Sequence, residues 1–294
     1  MSSSPEINDN AINAWFPETW TNYDLALARF VFEKTAELAT ELGAKNEAEK
    51  WRKVAAELPD FAREQSGALM FAPTFGYAES HRHFSHLMAI HPLGLLDRAH
   101  GEADEKTIRT SIALLEKHGP DQWTGYSWAW LANLHARAGD GAKAARALRI
   151  FAEAFVSKNS FHVNGDQSGR GFSKMTYRPF TLEGNFASAA GVQEMLLQSQ
   201  GGRIQIFPAV PDDWQDVSFR NLRAEGAFLV SAARENGRCV RVEITSEKGG
   251  ALDLRLPPGE WQLLDKKSIA KWNRREQGHW QGVVGKGRLV FVAK

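Results

Sequence analysis

Glu183 and Asn185 stand one residue apart in the run Arg178-Pro-Phe-Thr-Leu-Glu-Gly-Asn-Phe186, bounded by Pro179, Gly184 and the rings of Phe180 and Phe186. A carboxylate beside a carboxamide at a helix mouth presents acid/base groups to a bound ligand. The same residues also allow a plainer arrangement, a capped helix whose glutamate answers Arg178 across the turn. A second polar concentration, Gly76-Tyr-Ala-Glu-Ser-His-Arg-His-Phe-Ser-His-Leu87, holds Glu79, His81, Arg82, His83 and His86. Imidazole and carboxylate suit zinc. Only His83 and His86 would share a helical face, however, and no H-E-x-x-H pattern occurs, so no metal site is expected. Ligand contact by Arg82 and His83 stands against histidines bonded to backbone at a helix start.

A third cluster, Trp123-Thr-Gly-Tyr-Ser-Trp-Ala-Trp130, packs four aromatic rings into one short run. Most such rings are core material, but one near a helix start, Trp128 among them, can form a stacking platform for a sugar. Glycosidic cleavage needs a proton donor on one side of the bond and a base or nucleophile on the other. Glu6, Glu79 and Glu183 are the carboxyls in polar, irregular contexts, and sequence separation alone does not pair them. No G-x-S-x-G, Walker loop or dinucleotide glycine fingerprint is present, and no cofactor is expected.

With 36 basic against 35 acidic residues the chain has a net charge of +1, which argues against nucleic acid or an anionic membrane as partner. One cysteine, Cys239, excludes an internal disulfide and a multi-cysteine metal site. No apolar run reaches the length of a membrane span, and the first five residues lack a signal-peptide pattern.

The elements that must position these residues fall into two kinds. Apolar residues at three-four spacing predict helices over 23–42, 46–58, 104–118, 124–138, 140–155 and 186–199, the last capped by Asn185. Gly43, Pro59 and Gly139 end runs, and Asp140 opens one. About six or seven helices in antiparallel pairs with short connections follow the rules of a bundle or toroid. After Gly201 the period changes to two, in 203–207, 228–230, 240–244, 252–256 and 289–292, with turns at Asn236-Gly237, Gly249-Gly250 and Pro257-Pro258. This predicts an antiparallel β-sandwich, with domains at 1–200 and 201–294.

Taken in order, several motifs resemble those of glycoside hydrolase family 95, the inverting 1,2-α-L-fucosidases and some α-L-galactosidases. They are Ser3-Ser-Pro-Glu6, His81-Arg-His-Phe-Ser-His-Leu87, Gly125-Tyr-Ser-Trp-Ala-Trp130, Ala136-Arg-Ala-Gly-Asp-Gly141 and Phe180-Thr-Leu-Glu-Gly-Asn-Phe186. Glu194-Met-Leu-Leu-Gln-Ser199, Pro208-Ala-Val-Pro211 with Trp214, and Leu222-Arg-Ala-Glu-Gly-Ala-Phe228 continue the match. The resemblance implies an (α/α)6 toroid, here a partial one, followed by a small β-domain. It implies a glycan substrate and, for the full-length protein, a periplasmic or extracellular location. It also implies that Glu6 protonates the leaving oxygen while an asparagine, polarised by a neighbouring carboxylate, activates water. Glu183 matches that carboxylate, Arg82 and His83 match substrate contacts, and Glu79, Trp128 and Asn185 join them as expected substrate-binding residues.

The chain departs from the family pattern in three places. Glu183 stands where the family has aspartate, and Tyr77-Ala-Glu79 stands in for a Glu-Trp pair. The family's base asparagines precede the S-P-E motif at which this chain starts, and about half of the toroid helices precede it too. The expectation is therefore a fragment, inactive alone, with apolar helix faces open to a missing N-terminal half. The alternative is a carbohydrate-binding or structural remnant without turnover.

Overall fold

The structure is a computed structural model that describes residues 2–3, 15–16, 20–264, 269–276 and 278–294. Among them are six α-helices: α1 (Asn22–Glu41), α2 (Lys45–Ala56), α3 (Glu102–His118), α4 (Gly125–Arg137), α5 (Gly141–Ala154) and α6 (Glu183–Leu196). Their starts carry the local chemistry that the sequence displays. Thr21 caps α1 by accepting from the Asp24 N–H at 3.3 Å, and Asp140 caps α5 by accepting from the Lys143 N–H at 3.0 Å. Ser127 Oγ accepts from the Thr124 N–H at 3.1 Å, which closes the first turn of α4. Gly43, at φ 75°, makes the left-handed turn that folds α2 back on α1.

Helix α4 is the axis of the helical part, buried at every position except Tyr126. Its small residues explain why two helices can reach it. A Cβ on Gly191 of α6 would lie only 3.6 Å from the Ala132 Cβ, so α4 and α6 approach closely. Asn133, fully buried, ties them by donating to Ala129 O at 2.8 Å and to Ala187 O at 2.9 Å. Around this axis the apolar core gathers Phe84, Leu87, Ile90, Trp123 and Phe155, all nearly sealed from solvent.

The strands follow the helices, apart from short ladders. Strands β1 (Ser2–Ser3) and β2 (Trp15–Phe16) pair, as do β3 (His162–Val163) and β4 (Phe180–Thr181). Then come β5 (Leu197–Gln198), β6 (Arg203–Ile206), β7 (Val217–Ala224), β8 (Phe228–Glu235), β9 (Arg238–Ser246) and β10 (Gly250–Arg255). The last four are β11 (Trp261–Leu263), β12 (Ile269–Glu276), β13 (His279–Val284) and β14 (Gly287–Ala293). They build two five-stranded sheets, ordered β12-β13-β10-β6-β5 and β11-β14-β9-β8-β7. Alternate residues such as Phe228, Val230 and Ala232, with Leu252 and Leu254 opposite, fill a second core between them.

One pairing departs from the antiparallel expectation: β6 and β10 run parallel, with Asp253 opposite Arg203. The cause is local. Strand β5 continues directly from α6 and turns into β6, which therefore enters the sheet with its direction already set by the helix. Helical and β parts meet on a cluster of three alanines, Ala136, Ala144 and Ala209, around Met195, beside the Arg137–Glu194 ion pair.

Two helices carry exposed apolar side chains. Helix α1 exposes Val31 and Leu38, Leu42 just after it is 84% exposed, and α6 exposes Phe186 and Val192.

Two histidines make the fold sensitive to acid. Burial pushes His86 and His91 from 6.5 down to about 3, Arg137 adding to the effect on His91. Both are neutral in the folded chain. Below pH 6.5 the unfolded chain binds protons that the folded chain refuses, so stability present above 6.5 drains as pH falls toward 3. Each contributes up to about 1.4 kcal/mol per pH unit in that window. The urea midpoint is expected to fall between pH 6.5 and 5, above the range in which ordinary carboxylates titrate. A flat midpoint across that interval would contradict it.

Candidate active site

Helix α6 starts at Glu183, two residues before the expected cap. Leu182 occupies the N-cap position and makes no side-chain capping bond there. Asn185, in the first turn, is not available as a cap because its carboxamide is committed sideways. Its Oδ1 accepts from the His162 N–H at 2.9 Å and its Nδ2 donates to Ser160 O at 2.8 Å, clamping the 160–162 turn to the helix. Glu183 is exposed in the first turn, where the helix dipole favours its charge. Phe180 and Phe186 beside it are 57% and 69% exposed, and Phe180 packs on Phe161 with ring centroids 4.9 Å apart.

The histidine-rich run forms an irregular turn rather than a helix until a short 3-10 segment at Ser85–Leu87. Its three imidazoles take different partners. His81 Nδ1 accepts from the His83 N–H at 3.1 Å, while His86 is buried between Phe71 and Tyr77, with centroids at 4.4 and 5.2 Å. Among the described residues no three metal-ligating groups gather. Arg82 Nε donates to His83 Nε2 at 3.2 Å, and Ser127 Oγ of α4 donates to Arg82 O at 2.7 Å. That second bond fixes the Arg82–His83 pair to the first turn of α4. Glu79 is exposed on the preceding turn, which Ser80 Oγ holds to Gly119 O, just past α3, at 2.8 Å.

The first turns of α4 and α6 meet across His162. Strand β3 places this imidazole, fully buried, where a Cβ on Gly125 would lie 2.4 Å from its Nε2 and a Cβ on Gly184 2.6 Å from its Nδ1. Only glycine at both positions admits the ring. Thr181 Oγ1 lies 2.6 Å from His162 Nδ1. Burial lowers the His162 pKa, and the Glu183 charge acts in the opposite sense. Burial and the same carboxylate raise the Tyr126 phenol. Glu183, Tyr126 and His162 are thus electrostatic neighbours.

Trp128 lies elsewhere: it is 9% exposed, its indole N–H donates to Phe172 O at 3.3 Å, and Trp123 meets it edge-on at 5.0 Å. The half-buried ring at the start of α4 is Tyr126. Glu6 lies outside the described residues. The structure therefore brings Arg82, His83, Glu183 and Asn185 to neighbouring helix starts and leaves Glu79 at the edge of α3. His162 is the residue that sequence reasoning passed over. Its signal was the pair of glycines in two helical first turns, which no composition rule links to a histidine 37 residues after one and 22 before the other.

Chemically, the assembly offers an exposed carboxylate, a phenol and a guanidinium–imidazole pair at the mouths of two packed helices. Residues 1–196 match the glycosyl hydrolase family 95 catalytic domain, and residues 198–290 match the glycoside hydrolase family 95 C-terminal domain. Alpha-L-fucosidase 2 of Arabidopsis thaliana is 28% identical over 257 residues, which cover 83% of this chain. The aligned region spans only 30% of that relative's length. Helices first, sandwich second, and a profile match across both parts lead to one assignment: the chain belongs to glycoside hydrolase family 95.

Proposed function

We propose that this chain supplies one wall of the active site of an inverting α-L-fucosidase-like hydrolase. Its substrate would be a glycan bearing a terminal α-L-fucosyl or related α-L-sugar residue. The observation that carries this reading is Glu183, exposed at the first turn of α6 and within electrostatic reach of Tyr126 on α4. A carboxamide is a weak base alone, and a carboxylate hydrogen-bonded to it raises its electron density. Glu183 takes that polarising role toward an asparagine supplied by a preceding part of the parent protein. Glu6 is the proton donor. Arg82 and His83 contact the sugar, with Glu79 at the rim. Asn185 holds the wall in place, and Trp130, its ring centroid 5.5 Å from that of Tyr126, backs the phenol from the core. The catalytic domain ends near residue 200, where α6 passes into β5, and the β-domain runs to the end of the chain.

The chain alone lacks the base and is inactive in this reading. The open faces of α1 and α6 are where the preceding helices would seat, their apolar residues matching the apolar interior of a closed toroid. The test uses 2'-fucosyllactose with three proteins: the 294-residue chain, the same chain joined to a preceding family-95 segment, and that longer protein carrying Glu183→Gln. Expected are no turnover, turnover, and a loss of about 10²–10⁴-fold in kcat with KM little changed. Turnover by the chain alone would overturn the division of the site. Full activity in Glu183→Gln would remove the carboxylate's role and leave a carbohydrate-binding remnant as the better account.

A further inference from the structure

The buried histidine between the two helix starts has no assigned part in the chemistry above, yet the glycine pattern around it is specific. We infer that His162 is a positioning residue for Glu183: seated between the first turns of α4 and α6, it fixes through its Nδ1 contact with Thr181 where the carboxylate leaves its helix. This rests on the reading of Glu183 as the polarising carboxylate.

Four observations converge on it. The ring is fully buried although it belongs to a strand of only two residues. It occupies the space that side chains on Gly125 and Gly184 would need, at 2.4 and 2.6 Å, so both first turns are shaped to admit it. Its backbone N–H donates to the Asn185 carboxamide at 2.9 Å, one helical residue beyond Gly184. Its Nδ1 lies 2.6 Å from Thr181 Oγ1, two residues before Glu183, while its Nε2 finds no partner among the described residues. The contacts therefore bracket Glu183 on both sides, through Thr181 before it and Gly184 and Asn185 after it. A shift of the ring moves the start of α6 as a unit, and misplacement of a reacting group by about 1 Å costs roughly 10²-fold in rate.

The asymmetry between the two ring nitrogens gives the test its edge. Asparagine places a polar atom near where Nδ1 lies, glutamine places one nearer Nε2, and phenylalanine fills the ring volume with no polar atom. Positioning through Nδ1 predicts the order His, then Asn, then Phe and Gln. A space-filling role predicts that Phe matches His and that Asn fails. In the 294-residue chain, hydrogen exchange of the Gly125 amide, bonded to Asn164 O, and of the Phe186 amide, bonded to Leu182 O, reads the helix starts without any need for turnover. We expect these amides to exchange at least about tenfold faster in His162→Phe and to recover in His162→Asn.

In the longer active protein, His162→Phe should lower kcat about 10²-fold with KM little changed, and His162→Asn should restore most of it. Gly184→Ala, which leaves the histidine in place but takes its room, should reproduce the phenylalanine result. Unchanged exchange and kcat in His162→Phe, while Glu183→Gln still abolishes turnover, would overturn this inference alone. Loss of the Glu183→Gln effect would overturn the underlying reading instead. Should His162→Phe not fold, the comparison of His162→Asn with Gly184→Ala decides: equal, undiminished kcat in both refutes positioning.

Discussion

Replacing Glu194 by glutamine is expected to destabilise the chain by about 3–5 kcal/mol, the range for removing one partner of a buried ion pair. Arg137 Nε and Nη2 donate to the two carboxylate oxygens at 2.6 and 2.8 Å, and the side chains are only 7% and 17% exposed. Glutamine keeps the shape but turns an NH2 group toward a guanidinium, and the Arg137 charge stays buried with its Nη1 already lacking a partner among the described residues. The double replacement Arg137→Leu with Glu194→Leu should recover most of the loss, because it removes the desolvated charge along with its partner. Urea unfolding of the three variants measures this. A loss below about 1 kcal/mol for Glu194→Gln, the scale of exposed pairs, would mean that solvent screens the pair.

That ion pair also explains what the sequence could and could not reveal. Arg137 comes from Ala136-Arg-Ala-Gly-Asp-Gly141 and Glu194 from Glu194-Met-Leu-Leu-Gln-Ser199, two motifs that carried the family resemblance. Gln198, of the second, donates to Ala136 O of the first at 3.0 Å. Gly141, of the first, faces Ala209 of Pro208-Ala-Val-Pro211. Three of the eight motifs therefore encode the junction between helices and sandwich rather than chemistry. Helix existence was legible because the three-four spacing and the cap Asp140 act locally. The parallel β6–β10 pair was not, because it depends on where α6 releases the chain. Asn185 looked like a cap by its type and place, and lost that role to a partner 23 residues upstream. Contacts of that range leave no period in the sequence. The absence of signal at His162 has the same origin, since two glycines and a histidine become one feature only after three segments have packed.

Gly141→Ala is the second large effect, and helix propensity and packing disagree about its sign. Gly141 opens α5 without a positive φ, so the backbone tolerates alanine there. Helix propensity by itself would reward the change by up to about 1 kcal/mol. The added Cβ, however, would sit 2.4 Å from Ala209 O, 2.7 Å from Ala209 C and 2.8 Å from Pro211 N. All three are backbone atoms that cannot rotate aside, so the helix start must withdraw from the segment between β6 and β7. Overpacking of this kind costs about 1–3 kcal/mol, which outweighs the propensity gain. Gly191→Ala in α6 is the matched control: its Cβ would meet side-chain atoms at 3.2–3.6 Å, led by the flexible Leu148 Cδ2. Urea midpoints should therefore fall for Gly141→Ala and hold or rise for Gly191→Ala. A rise for Gly141→Ala would show that α5 does not rest against Ala209 at this distance, and the junction built on Ala136, Ala144, Met195 and Ala209 would have to be looser than its contacts indicate.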